Sequence, residues 1–267
     1  MDLNTVTGYR FARSRDDLAL APGEVFLGGG TWLLSEPQVA TTGLVDLSRL
    51  GWESLEITPE GLRIGATCTI AELVAFPQRP DWPAQALFAQ CANALLASFK
   101  VWNLATVGGN ICRSCAAAGM VSLCAAVDAT AWIWEPGGGD HRLPVADLVT
   151  GNGTNLLRRG EVLRAVDIPI ASLRARTAFR KIALAQLGRS GAVLTGRVDE
   201  DGAAVMVITA ATETPVVLRY PELPTAAVLE RDVLEAPGYY TDALGTADWR
   251  RAVSVVLLEE IRRELTG

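Results

Sequence analysis

The chain alternates short apolar runs with brief stretches of helical period, and glycines or prolines stand at most of the junctions. Residues 24–29, "EVFLGG", read as a strand delivered into a glycine loop, and 43–47, "GLVDL", as a second strand. In 54–67, "SLEITPEGLRIGAT", two apolar runs flank Pro-Glu-Gly, which predicts a hairpin. A short helix is expected over "TIAELVAF", with Thr69 as its cap and Glu72 in its first turn. Pro77, Pro80 and Pro83 then break the chain ahead of a helical stretch at 84–99. Residues 129–145, "ATAWIWEPGGGDHRLPV", predict a second hairpin with Gly137, Gly138 and Gly139 at its tip, and "EVLRAVDIPI" a further strand.

From about Ala171 the pattern changes. "TAFRKIALAQ" is followed by two strands joined through Asp199-Glu200-Asp201-Gly202, and the chain ends in "DWRRAVSVVLLEEIRREL". There Val253, Leu257, Ile261 and Leu265 recur every fourth residue, an amphipathic helix. The sum is an α+β fold with a boundary near residue 171 and no fixed-period repeat.

Composition narrows the function. With 267 residues, 49% of them hydrophobic, the chain can bury a sizeable core. A net charge of −6 and a pI near 5.0, with arginines scattered among acids, argue against a nucleic-acid surface. The N-terminus has no apolar core of a secretory signal, and the uncharged run 114–127 is far short of the ~18 apolar residues of a membrane span. The 5 cysteines do not suggest a disulfide framework, so a cytoplasmic protein is expected. His141, the single histidine, sits in a predicted hairpin loop, which disfavours a Ser-His-Asp triad or a histidine-rich zinc site.

Three glycine clusters compete as phosphate loops. The tip 137–139 leads into no helix and reads as a turn. "FLGGGTWLLS", 26–35, runs from a strand into three glycines and Thr31, so backbone N–H groups can approach an anion closely. "TVGGN", 106–110, offers a second such device ahead of an alanine run of helical character. Two cradles suggest a ligand with two phosphates clasped between subdomains. The nearest approach to a dinucleotide fingerprint, "GNGTNL" at 151–156, has Leu156 where the third glycine belongs, and there is no P-loop.

On these residues the chain resembles the FAD-binding medium subunit of the molybdenum hydroxylases, the group of xanthine dehydrogenase and aerobic carbon monoxide dehydrogenase. Gly28-Gly29-Gly30-Thr31-Trp32-Leu33-Leu34 is similar to that family's AGGTDLL loop, and Thr106-Val107-Gly108-Gly109-Asn110 to its TIGGN loop. "LVDLSRL", "LRIGATCTIAEL", "GEVLRAVDIP", "AFRKI" and "DALGTADWRR" resemble further segments in the same order, so the likeness spans nearly the whole chain.

The resemblance implies a PCMH-type flavoprotein fold: two α+β subdomains (about 1–55 and 56–170) clasping FAD, then a smaller C-terminal α+β domain at 171–267. It implies an oxidoreductase subunit that passes electrons from [2Fe–2S] clusters on a small partner subunit through FAD to a soluble acceptor such as NAD, oxygen or a quinone. The molybdenum cofactor would sit on a large partner subunit. By position, Leu27 to Trp32 would wrap the pyrophosphate from one side and Thr106, Gly108, Gly109 and Asn110 from the other. Arg113, Cys115 and Gly119 would continue the cofactor loop. Leu163 would lie near the flavin ring and Lys181 near its polar edge, where a cation favours an electron-rich ring.

Several positions depart from the family's pattern. Ala116 and Gly119 stand where Pro and Asp are usual, Trp102 and Leu104 where arginines are common, and Trp32 where a polar residue is usual. A scaffold subunit of the same fold with a decayed flavin site is the alternative. Cys112-Arg-Ser-Cys115 has zinc-knuckle spacing but no second pair. It reads as small fill of the cofactor loop, or as a redox dithiol if Arg113 and a helix N-terminus lower its thiol pKa. Trp132 and Trp134 alternate on one strand, a stripe suited to core or to a partner surface.

Overall fold

The computed structural model describes residues 3–186 and 188–267. Three larger sheets and one two-stranded hairpin organise them, and two small devices fix the first sheet. Strands Gly8–Phe11, Gly43–Asp46 and Glu24–Leu27 run parallel, with Gly43–Asp46 in the middle and Gly8, Gly43 and Glu24 in register. Arg10 on one outer strand grips Glu24 on the other through Nε–Oε1 (2.9 Å) and Nη2–Oε2 (2.8 Å). That pair passes above Gly43, where a Cβ would come within 2.9 Å of Glu24 Cγ. The middle strand is buried throughout.

The second sheet is antiparallel, and both predicted hairpins belong to it. Leu55–Thr58 pairs with Gly61–Gly65, and Thr130–Trp134 with Asp140–Pro144. Val162–Pro169 lies between the two hairpins, pairing with Gly61–Gly65 on one side and Thr130–Trp134 on the other. Helices pack on this sheet around one core that includes Leu62, Ile64, Phe88, Ile111, Leu123 and Leu163. The first of them, Ile70–Val74, has the predicted Thr69 cap as a reciprocal capping box with Glu72.

The helix Gly119–Ala126 is buried at every residue, which suits its uncharged sequence, GMVSLCAA. A helix apolar all round needs cover on both sides. Here the central core covers one side and the third sheet the other: Ala125 packs with Val205 and Val207, and the Ser122 and Thr209 hydroxyls lie 2.7 Å apart.

That third sheet is an antiparallel meander of Arg176–Ala183, Ser190–Val198, Ala204–Thr209 and Val216–Tyr220. It begins just after the short helix Ile170–Arg174. Helices Ala226–Glu235 and Ala247–Thr266 build its own core with Leu229, Val233, Leu258 and Ile261. The terminal helix is where the apolar period predicts, but its fully buried line is Arg250, Ser254, Leu258, Ile261 and Leu265. Val253 and Leu257 flank that line rather than forming it. Arg250 takes a core position because Gly191 O, Ala210 O and Asp242 accept from its guanidinium and Tyr240 stacks on it at 4.1 Å. Among the described residues no helix is long and apolar enough to cross a membrane.

Candidate functional site

The strand Glu24–Leu27 delivers the chain into the first glycine loop. Close approach dictates these glycines. A Cβ on Gly29 would sit 1.6 Å from the Leu104 carbonyl oxygen, and one on Gly28 would sit 3.0 Å from Thr106 Oγ1. Gly30 has φ +72°, open to glycine at no steric cost. Leu34 N–H closes the turn on Gly30 O at 2.8 Å, and Ser35 N–H on Trp32 O at 2.9 Å. The N–H groups from Gly28 to Leu33 find no acceptor among the described residues. A run of free, partly covered amides is what an anion-binding loop offers.

The second loop is built differently from the sequence expectation. The diglycine does not precede a helix; it forms the first turn of one, Val107–Arg113, capped by Thr106, whose Oγ1 accepts from Gly109 N–H at 3.0 Å. Its amides are already used: Val107 N–H donates to Cys68 O, Gly108 N–H to Ala66 O and Asn110 N–H to Thr106 O. Gly108 is therefore a packing glycine, since a Cβ there would lie 2.5 Å from the Ala66 Cβ. What this side offers a ligand is the Asn110 side chain. Its Oδ1 accepts from Met120 N–H at 2.9 Å, which leaves the NH2 group free.

Between the two loops lies a cleft of about 510 Å³, within the usual range of small-molecule sites. Of the residues expected from sequence, Leu27 to Trp32, Thr106, Gly109, Asn110, Arg113 and Cys115 line it together. Four expected residues stand elsewhere. Gly108 packs on Ala66, and Gly119 presses on helix Ala86–Ala94, where a Cβ would meet Cys91 O at 2.3 Å. Leu163 is in the core. Lys181 donates from Nζ to Asn93 O at 3.0 Å, and burial lowers its pKa.

Sequence reading missed the far wall, Leu95, Leu96, Ala97 and Val101. The stretch 84–99 is not one helix: Ala86–Ala94 ends, and Phe99–Trp102 starts after Ser98. Ser98, a cap-forming residue type, was the signal available for that break.

Among the described residues no carboxylate lines the cleft, and the charged side chain that does is Arg113. The Arg113 guanidinium lies over the Trp32 ring at 4.0 Å from the centroid, and its buried Nε has no acceptor. The dithiol reading fails at Cys112. It stands in the last turn of its helix, not at an N-terminus, and burial pushes its thiol up to about 12. All 5 cysteines are free. His141 is on the strand Asp140–Pro144, 2.9 Å from Glu135, in a group that Arg158 ties to Glu161.

Residues 14–171 match the model of the FAD binding domain in molybdopterin dehydrogenase. The chain belongs to that family. No curated protein matches it by sequence. Among solved structures, carbon monoxide dehydrogenase from Oligotropha carboxidovorans is similar at a TM-score of 0.85 and 20% identity, over 98% of this chain and 97% of that one. Quinoline 2-oxidoreductase from Pseudomonas putida 86 follows at 0.80 and 20%, over 96% and 95%. The carbon monoxide dehydrogenase of Hydrogenophaga pseudoflava gives 0.81 and 19%, over 96% of each chain. Identities this low speak to the fold, which is the PCMH-type flavoprotein fold that the resemblance implied.

FAD is the cofactor of this oxidoreductase family, and the cleft fits it on independent grounds. The free amides of Gly28 to Leu33, the Asn110 NH2 and the unpaired Arg113 are donors suited to a diphosphate. The apolar wall at Leu95 to Ala97 suits the rest of a dinucleotide.

Proposed function

We propose that this chain is the FAD-carrying, electron-transferring subunit of a heteromeric molybdenum hydroxylase. The observation that carries the reading is the row of unused amides from Gly28 to Leu33 facing a cleft without a carboxylate. FAD, when bound, supplies the ability to take up electrons from a one-electron carrier and hand them to an acceptor. The chain's own residues bind and orient. Gly28 to Trp32 hold the diphosphate through main-chain N–H groups, Asn110 and Arg113 add side-chain donors, and Cys115 fills the loop as a small side chain.

Among the described residues no histidine, aspartate, glutamate or lysine lines the cleft, the side chains that most often move a substrate proton. That supports electron relay rather than substrate oxidation on this chain. Electrons would come from [2Fe–2S] clusters of a small partner subunit, fed by a large molybdenum-bearing subunit. They would leave to a soluble acceptor such as NAD, oxygen or a quinone. Residues 1–55 and 56–170 act as the two halves of the clasp and 171–267 as a separate C-terminal domain.

The test is a visible absorption spectrum of the purified protein, then denaturation and identification of the released flavin. About one FAD per chain is expected. Colourless protein that FAD cannot reconstitute, even with its partner subunits present, would overturn the reading and leave a scaffold subunit.

A further inference from the structure

The sequence "GNGTN" at 151–155 fails as a dinucleotide fingerprint, yet the structure gives it work at the cleft. It forms a small hairpin, Val149–Gly151 against Thr154–Asn155, packed on the turn that follows helix Val107–Arg113. Four hydrogen bonds fasten the two. Asn155 Nδ2 donates to Cys112 O (2.7 Å) and to Ser114 Oγ (3.1 Å). Gly153 N–H donates to Ser114 O (2.7 Å), and Asn152 Oδ1 accepts from Ala116 N–H (3.0 Å). Ser114 itself is left-handed, φ 52°, so this turn is a shape that needs holding.

The residue that the hairpin presents is Arg113. Gly153, at φ +94°, lies directly behind it, and a Cβ there would come within 2.8 Å of Arg113 Nη1. On the other side the Trp32 ring lies 4.0 Å from the guanidinium carbon. The guanidinium is thus held between an aromatic face and a glycine backbone. Acids outnumber bases 30 to 24 in this chain, yet Arg113 has no ion-pair partner among the described residues. Its Nε is buried without an acceptor. A half-buried guanidinium whose buried Nε has no acceptor is costly unless a ligand acceptor completes it.

We propose that Arg113, stacked on Trp32 and braced by the 151–155 hairpin, is the anion-reading side chain of the cleft and grips the diphosphate of the flavin dinucleotide. This rests on the FAD reading above. Trp32, Asn152, Gly153 and Asn155 are positioning residues: they fix the guanidinium without touching the ligand's charge.

The experiment titrates the full chain with FAD and with riboflavin, which carries no phosphate, by flavin fluorescence at several salt concentrations. Thermal melts run alongside. Arg113→Ala is expected to weaken FAD binding about 10- to 100-fold, to lower its salt dependence, and to leave riboflavin binding unchanged. Arg113→Lys should recover part of the loss, and Trp32→Ala should lose about 2- to 10-fold for FAD alone. If Arg113→Ala binds FAD as the wild type does, or loses FAD and riboflavin alike, the guanidinium does not read the diphosphate. If Arg113→Ala does not fold, the Lys and Trp32 variants decide by the same FAD-to-riboflavin contrast. Wild-type protein that takes up neither flavin sinks the FAD reading and this proposal together.

Discussion

Gly29→Ala tests whether the two loops are one built object. A new Cβ would fall 1.6 Å from Leu104 O and 2.6 Å from its carbonyl carbon, where an ordinary contact is 3.4–4 Å. Both obstacles are backbone, so no side chain can rotate away. The loops must part by about 2 Å, a forced overpacking of about 3 kcal/mol, the upper end of what such insertions cost. For a chain of this size about 2–4 °C accompanies each kcal/mol, so the melting temperature should drop by about 6–12 °C. Parting the loops also moves the free amides of Gly28 to Leu33 relative to Asn110 and Arg113, and FAD affinity should fall at least 10-fold.

Gly8→Ala is the control. Its Cβ would meet nothing nearer than 3.8 Å on an exposed strand, so it should be neutral or stabilise by about 0.4–1 kcal/mol. Scanning calorimetry and FAD titration of both variants decide the matter. If Gly29→Ala melts with the wild type and binds FAD equally well, the loops do not pack as described and the cleft's geometry is wrong.

Three other outcomes follow from named contacts. Arg250→Ala should cost about 3–5 kcal/mol in urea unfolding, because it removes a buried guanidinium that donates to Asp242 and to the Gly191 and Ala210 carbonyls; a loss under 1 kcal/mol would contradict its place in the core. Cys112, with its thiol at about 12 instead of the ~8.5 of a free cysteine, should carry about three orders of magnitude less thiolate at pH 7.5. Mass spectrometry of iodoacetamide-treated native protein should therefore find it unlabelled while a small thiol reacts, and fast labelling would refute the raised thiol. Glu24 is held at about 2, first by the Arg10 hydrogen bonds and then by Ala21 N–H. A lowered folded value means its stabilisation is full above the unfolded value near 4.5 and is lost as pH falls toward 2. Glu24→Gln should flatten the stability curve in that window, and an unchanged slope there would count against the pair.

Local chemistry was legible in the sequence; long-range pairing was not. The two hairpins and the Thr69 cap follow from turn and cap residues a few positions apart. The order of the second sheet does not: nothing near Val162–Pro169 says that it lies between both hairpins. Strand Gly8–Phe11 escaped notice because it is short and largely exposed, with too few residues for its alternation to stand out. On the terminal helix, an apolar period could not anticipate that Arg250 and Ser254 hold buried positions through hydrogen bonds to the backbone. The glycines of 108 and 109 suggested a loop by propensity. The Thr106 cap and the close approach of Ala66 place them in a helix instead.

The departures from the family's usual residues look like lost contacts in sequence, but the structure gives them other occupations. An Asp at position 119 would need a Cβ 2.3 Å from Cys91 O, so in this chain the start of that helix admits only glycine. Leu104 exposes its side chain, yet its carbonyl is the surface on which Gly29 rests. Trp32 replaces a polar side chain with a face that holds Arg113. The amides of the first loop depend on none of these substitutions, because a main-chain N–H is present whatever the side chain. A decaying site would accumulate changes that leave packing gaps or idle acids in the cleft. Here Gly119 packs on Cys91 O, the Leu104 carbonyl on Gly29 and the Trp32 ring on Arg113, and the idle charge that lines the cleft among the described residues is a cation with its buried Nε unspent.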